Sequence, residues 1–140
     1  MQMILIATDG SVCGQLAEDE GVRLAVATGA RVVFLHVQPG VDPSHYAPGA
    51  ISEETDESHA LLDRALAKAV EAGVYAETEI VEGNPGREIV DAARLRGADV
   101  IVVGSRGLGK LSSMFLGSVS RDVLSEADRP VLVVKDKETA

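Results

Sequence analysis

Three glycines and a serine are spaced so that their backbone could surround a phosphate group. Two residues separate Gly104 from Gly107, and nine residues separate Gly107 from Gly117 and Ser118. The apolar run at residues 99–103 predicts a strand, and residues 119–127 predict a helix. A loop between a strand and a helix start presents backbone N–H groups to an anion, and glycine lets the backbone approach it closely. The spacing therefore predicts a nucleotide phosphate site.

The glycine segment is basic although the chain as a whole is acidic. The formal net charge is −9, yet residues 104–121 contain no acid and include Arg106, Lys110 and Arg121. Arg106 and Lys110 could pair with phosphate oxygens or lie as solvated surface side chains, and the sequence leaves both interpretations open. The acidic balance argues against a nucleic-acid partner, because such a surface needs a basic footprint.

Length and composition predict one globular domain, residues 1–140, that is large enough to bury a core. No apolar run approaches the roughly 18–20 residues that a bilayer span requires, so no membrane partner is expected. The first seven residues lack the basic region of a signal peptide, and the single cysteine, Cys13, cannot form an internal disulfide. These features predict a cytoplasmic location.

Strand-like and helix-like apolar patterns alternate along the chain. Gly29, Gly73 and Gly97 each follow a helical pattern and precede a strand pattern. Alternating units with Val- and Ile-rich strands predict an α/β fold with a doubly wound five-stranded parallel sheet and helices on both faces. The strands are predicted at residues 3–7, 31–37, 74–81, 98–104 and 131–134, and the helices at about residues 13–28, 52–72, 85–96 and 119–127.

Three separate segments should meet at one edge of this sheet. Ligands of such sheets bind beyond the carboxyl ends of the strands, which here are Asp9, Val37 and Gly104. Asp9 has two interpretations: it could reach a nucleotide, through Mg²⁺ and its waters or through ribose hydroxyls, or it could form an Asx turn with Ser11. We favour the binding role. His36 should point to the face opposite Val37 and is expected to be a satisfied core residue.

The whole pattern, G-x2-G-x9-G-[ST] from Gly104 to Ser118, resembles the nucleotide-binding motif of the universal stress protein family. Three other segments agree with the family: Ala-Thr-Asp-Gly-Ser at residues 7–11, Leu-His-Val at 35–37 and Arg-Pro-Val-Leu-Val-Val at 129–134. The resemblance covers nearly the whole chain. It implies a Rossmann-like domain with strand order 3-2-1-4-5.

The resemblance also implies a ligand, an assembly and a set of site residues. The expected ligand is ATP, together with Mg²⁺ that Asp9 could reach through water, and the expected assembly is a homodimer joined through the last strand. Ala7 and Thr8 would line the base and ribose, and Val37 would contact adenine through its backbone. The full set of expected nucleotide-binding residues is Ala7, Thr8, Asp9, Val37, Val103, Gly104, Arg106, Gly107, Gly117, Ser118, Val119 and Ser120.

Groups that could bind a nucleotide outnumber groups that could react with one. No lysine directly precedes the serine as in a Walker motif, no histidine lies beside the glycines in sequence, and Asp9 is the one evident base, so no catalytic residue is assigned. This favours an ATP-binding regulatory or stress-response protein over a slow ATPase or nucleotidyl-transfer enzyme. A receiver-like module with Asp9 as phosphoacceptor would leave the glycine spacing unexplained.

Overall fold

The computed structural model describes residues 1–39, 53–106 and 116–136. Within these ranges strands and helices alternate without exception, as the apolar pattern predicts. None of the helices described there is both long and apolar enough to cross a bilayer. The elements are β1 Met3–Ala7, α1 Val12–Thr28, β2 Arg31–Gln38, α2 Glu53–Glu71, β3 Ala76–Glu82, α3 Pro85–Arg96, β4 Val100–Gly104, α4 Ser118–Glu126 and β5 Val131–Val134.

The strands form one parallel sheet in the order β3-β2-β1-β4-β5, which confirms the predicted fold class and strand order. β1 is central and pairs with β2 on one side and β4 on the other. The strand order also distinguishes the fold from that of a receiver domain, where the third strand, not the fourth, lies beside the first. The chain therefore reverses its direction of winding beside β1, and the carboxyl ends of β1 and β4 flank the resulting crevice.

The two faces of the sheet carry separate apolar cores, because successive strand residues point to opposite faces. On one face, Ile4 and Ile6 pack in a cluster with residues of α1 and α2. On the other face, Leu5 packs in a cluster with residues of α3 and α4. Both faces of the central strands are thus buried, which explains their continuous apolar sequence.

The predicted helix boundaries are close to the observed ones. Ser11 is the N-cap of α1, and its hydroxyl accepts a hydrogen bond from Gly14 N at 3.1 Å. β3 begins two residues later than predicted, because the N–H of Val74 donates to the carbonyl of Ala69 and so completes the end of α2. β4 likewise begins at Val100, since the carboxylate of Asp99 accepts hydrogen bonds from the backbone at the start of β1.

Candidate functional site

A cavity of about 320 Å³ lies at the carboxyl ends of β1, β2 and β4 and at the start of α4. Every residue predicted to bind a nucleotide lines it except Gly107, which lies outside the described residues. Three segments far apart in the sequence therefore meet at one site, as the parallel topology requires. The cavity is lined mainly by apolar groups, with polar groups at the glycine segments and at Asp9.

Hydrogen bonds join the two described parts of the glycine motif. The N–H of Gly117 donates to the carbonyl of Ser105 at 2.6 Å. The hydroxyl of Ser120 is buried and lies 3.0 Å from the same carbonyl and 2.9 Å from the carbonyl of Gly117. Its one hydrogen is shared between these acceptors, so Ser120 can offer a ligand its backbone N–H but not its hydroxyl hydrogen. The side chain instead fixes the position of α4 against the end of β4.

The start of α4 gives this part of the cavity a positive character. Gly117 is the N-cap in an extended conformation and supplies no side-chain cap. The first N–H groups of a helix have no partner within the helix, and the helix dipole is positive there. Ser118 and Val119 line the cavity, and so does the half-buried Arg106. This end of the cavity is therefore suited to an anion.

Gly104 is required by the close packing of α1 against the end of β4. A Cβ atom on Gly104 would lie 2.7 Å from the carbonyl carbon and oxygen of Cys13, a distance that real Cβ atoms do not reach. Cys13 is itself buried, with its Sγ 3.8 Å from Ser105 Oγ. Its position is that of a packing residue at the base of the site.

The structure shows Asp9 in the Asx turn and also places it at the cavity, so the two interpretations that the sequence left as alternatives are compatible. Its Oδ1 accepts a hydrogen bond from Ser11 N at 2.9 Å, which is the Asx turn, and the residue also lines the cavity. The two are compatible because a carboxylate has a second oxygen. Gly14, which we did not predict as a site residue, lies directly behind: a Cβ there would be 2.8 Å from Asp9 Oδ1. The signal for it was a glycine in the first turn of the helix that follows Asp9.

His36 lines the cavity, which the sequence did not predict. It is half-buried, and its Nδ1 lies 2.9 Å from the carbonyl oxygen of Thr8. Because a carbonyl only accepts, Nδ1 carries the hydrogen in this bond. The side chain is satisfied, as expected, but at the cavity rather than in the core. Other cavity residues missed from sequence are largely apolar: Leu35, Pro39, Pro85 and Ile89.

An ion pair between a buried glutamate and a partly exposed lysine lies behind the wall of the cavity. Glu18 is 2% exposed and accepts a hydrogen bond from the hydroxyl of Thr8 at 2.5 Å. Lys68 of α2 lies 2.9 Å from Glu18 and 3.0 Å from Asp19. Burial acts to lower the pKa of Lys68, but the hydrogen bonds and charges of Glu18 and Asp19 outweigh it and raise the pKa, so the ammonium is retained. This pair could not be predicted from the sequence, because its members are on different helices.

The described residues contain no group of three or more His, Cys, Asp and Glu side chains close enough to hold a metal ion. Asp9 is the one carboxylate among the residues that line the cavity. Within the described part of the site, a metal ion would therefore have Asp9 as its carboxylate and would depend on a ligand for its other oxygens.

Comparison with known proteins agrees with this architecture. The chain is 38% identical over 144 aligned positions to the universal stress protein YxiE of Bacillus subtilis, and the alignment covers 94% of this chain and 97% of that protein. Among solved structures, the protein MJ0577 superposes with a TM-score of 0.87 at 29% identity, covering 97% of this chain and 96% of that one.

Two further solved structures carry adenine nucleotides. A universal stress protein in complex with cAMP superposes with a TM-score of 0.78 at 27% identity. The superposition covers 99% of this chain and 98% of that one. A universal stress protein from Archaeoglobus fulgidus in complex with dAMP has a TM-score of 0.74 at 26% identity, with coverages of 96% and 98%. The model of the universal stress protein family matches residues 1–135. The chain belongs to the universal stress protein family.

Proposed function

We propose that the chain is an ATP-binding regulatory protein of the stress response that holds its nucleotide in the cavity at the carboxyl ends of β1, β2 and β4. The observation that carries the proposal is the bond between Gly117 N and Ser105 O, because it brings both described parts of the glycine motif to one wall. The amides at the start of α4 and the Arg106 guanidinium would then face the phosphates.

The direction of the β2 backbone supports adenine recognition by Val37. Alternate residues of a parallel strand direct their N–H and C=O groups to opposite neighbours. Leu35 accepts from Thr8 N on the β1 side, whereas Gln38 accepts from Gly83 N on the β3 side. Val37 therefore directs both backbone groups to the β1 side, where β1 has already ended at Ala7. A donor and an acceptor side by side suit the edge of an adenine ring, and Leu35 and Ile89 supply apolar surface for its faces.

The solved relatives support the class of ligand. The complexes with cAMP and dAMP share an adenine base and differ in their sugar and phosphate groups. For this chain we propose ATP, because the resemblance of its glycine motif to that of the family implies this ligand and the start of α4 lines the cavity. Mg²⁺ would be held mainly by the phosphates of ATP, with Asp9 reaching it through water.

We also propose that the protein is a homodimer joined through β5. β5 is an edge strand of the sheet, and Leu132 on it is 39% exposed. An exposed edge strand presents backbone groups that a second copy can pair with. The cytoplasmic location expected from the single cysteine stays a prediction.

Calorimetric titration with ATP and Mg²⁺ tests nucleotide binding directly. The wild-type protein should bind ATP, and nucleotide released from the purified protein by acid should be identified by chromatography. Gly117→Val should weaken ATP binding by at least about tenfold, because branched atoms would project beside the first amides of α4. Ser125→Val, on the exposed side of the same helix, is the matched control. Equal affinity of Gly117→Val and wild type would contradict the proposed site.

The same samples separate a binding protein from an enzyme. After incubation with ATP and Mg²⁺, a regulatory binding protein should release no more ADP than its own concentration. Steady release over many turnovers would instead support the slow ATPase, and Asp9 would be the first residue to test as its base.

A further inference from the structure

The corner between β1 and α1, residues 8–11, is supported from behind by Glu18, which does not line the main cavity. Thr8 Oγ1 donates to Glu18 and lies 3.3 Å from Gly10 N, from which it accepts. Asp9 and Gly10 follow directly, and Asp9 lines the cavity. Glu18 is in turn paired with Lys68 on α2. A continuous series of hydrogen bonds thus runs from α2 through α1 to the wall of the cavity.

The direction of each bond in this series is fixed by the charge on Glu18. A carboxylate can only accept, so the hydroxyl hydrogen of Thr8 points to Glu18 and an oxygen lone pair is left for Gly10 N–H. The backbone groups of Thr8 are engaged as well as its hydroxyl. The N–H of Thr8 donates to Leu35 O at 3.0 Å, and its carbonyl accepts from His36. Thr8 is therefore oriented completely by the protein, and the direction of its hydroxyl depends on the acceptor that Glu18 supplies.

We propose that Lys68 and Glu18 are positioning residues that set nucleotide affinity from behind the cavity wall, by holding Thr8 and with it Asp9 and Gly10. The inference rests on the proposed nucleotide function. Neither residue is expected to touch the ligand, since neither lines the main cavity.

The loss of Lys68 should reach the cavity through Glu18. A carboxylate that is 2% exposed and has lost its cation is strongly destabilised, so it turns toward water. A Glu18 that turns away leaves the Thr8 hydroxyl without its acceptor. Gly10 N–H then loses an oriented acceptor, and Asp9 loses the support that fixes its place in the wall.

The test compares Lys68→Met, Lys68→Arg and a matched control by calorimetric titration with ATP and Mg²⁺, at a temperature where each variant is fully folded. We expect Lys68→Met to weaken ATP binding about fivefold, the effect of one misdirected hydrogen bond. Lys68→Arg keeps the cation and should recover most of that loss. The control is Arg96→Met, which breaks a similar double ion pair, with Glu77 and Glu79, away from the cavity. It should lower stability without changing affinity.

A double-mutant cycle tests the route through Thr8. Thr8→Val removes the hydroxyl, so Lys68→Met should cause little further loss of ATP affinity in that background. Equal losses in both backgrounds would overturn the route. Unchanged ATP affinity in folded Lys68→Met, with wild type binding ATP, would overturn the positioning role alone, whereas a wild type that binds no ATP would overturn the proposed function and this inference with it.

A second variant covers the case in which Lys68→Met does not fold. The double substitution Glu18→Gln with Lys68→Met leaves no buried charge at this pair of positions. The neutral amide at position 18 is a weaker acceptor for the Thr8 hydroxyl than the carboxylate. It should weaken ATP binding by about threefold and shift the backbone amide resonance of Gly10 in the unliganded protein. Unchanged affinity together with an unchanged Gly10 resonance would contradict the proposal.

Discussion

Gly104 illustrates why a single atom can decide whether this site forms. Its missing Cβ lets the first turn of α1 come within van der Waals contact of the end of β4. That turn carries Gly14, which leaves space in the same way for Asp9 and Thr8. The two glycines therefore both allow close packing at one helix start, and both present backbone rather than a side chain to the cavity.

Gly104→Ala should lower both stability and nucleotide affinity. The added methyl group meets the Cys13 backbone, which cannot rotate away, so we expect the free energy of unfolding to fall by about 1–3 kcal/mol. The displaced helix start should also weaken ATP binding. Urea unfolding and ATP titration measure the two effects.

Gly97→Ala is the matched control for that substitution. Gly97 has φ of +65° with open space around its missing Cβ, so alanine there costs stability through backbone strain alone. Gly97 lies at the end of α3 that leads into the start of β4, away from the cavity. The ATP affinity of Gly97→Ala should therefore equal that of wild type. A Gly104→Ala protein that lost stability but kept full affinity would show that the packing is not coupled to the site.

The turn from α4 to β5 is held by a group of charged side chains. Asp128 accepts hydrogen bonds from Arg129 at 3.0 Å and from Arg94 of α3 at 3.3 Å. Arg129 also donates to the carbonyls of Ala93 and Ala98 at the end of α3. This group of side chains connects the start of β5 to α3. It lies at the amino ends of the strands, whereas the cavity lies at their carboxyl ends.

Acid should weaken this connection in a defined pH range. The hydrogen bond from Arg129, with help from Arg94, lowers the pKa of Asp128 from 3.8 to about 2. Because the folded state binds this proton less tightly than the unfolded state, Asp128 stabilises the fold above about pH 4 and loses that effect as the pH falls toward 2. Asp128→Asn should therefore be less stable than wild type at pH 7. Its free energy of unfolding, measured with urea, should also fall less steeply than that of wild type between these two pH values.

Glu126→Gln, an exposed carboxylate at the end of α4, is the control for the acid experiment. Its decline of stability with pH should follow that of wild type. If Asp128→Asn declined as steeply as wild type, the loss of stability in acid would have to come from other carboxylates, such as Asp99, whose pKa is also lowered by backbone N–H groups.

For the molecule as a whole, the sequence predicted the backbone architecture better than the side-chain network. Strand runs and the glycines at helix ends are local signals, and they were sufficient for element order, the parallel sheet and the edge that carries the site. The strand order was implied by the resemblance to the family. The pairing of Glu18 with Lys68 could not be predicted, because an acid in α1 and a lysine in α2 are each ordinary helix-surface residues until the helices pack. His36 was missed at the cavity for a related reason: alternation gives the face of a strand, not the distance of a side chain from its end.

The proposed dimer makes a prediction about the edge of the sheet. Leu132→Glu would place like charges close together where two β5 strands pair, so it should weaken dimerisation by at least about tenfold in sedimentation experiments. Leu95→Glu, at an 88% exposed position on α3, is the control and should leave the assembly unchanged. A wild-type protein that sediments as a monomer at every concentration would contradict the dimer.

The hydrogen bond from Ser105 N to Val134 O, 2.8 Å long, links the glycine segment to the last strand. While the chain is being synthesised, Ser105 leaves the ribosome well before its partner. The glycine segment therefore lacks this backbone partner until β5 has emerged. A nascent chain truncated before β5 should consequently retain nucleotide poorly, however well its first four strands have already assembled.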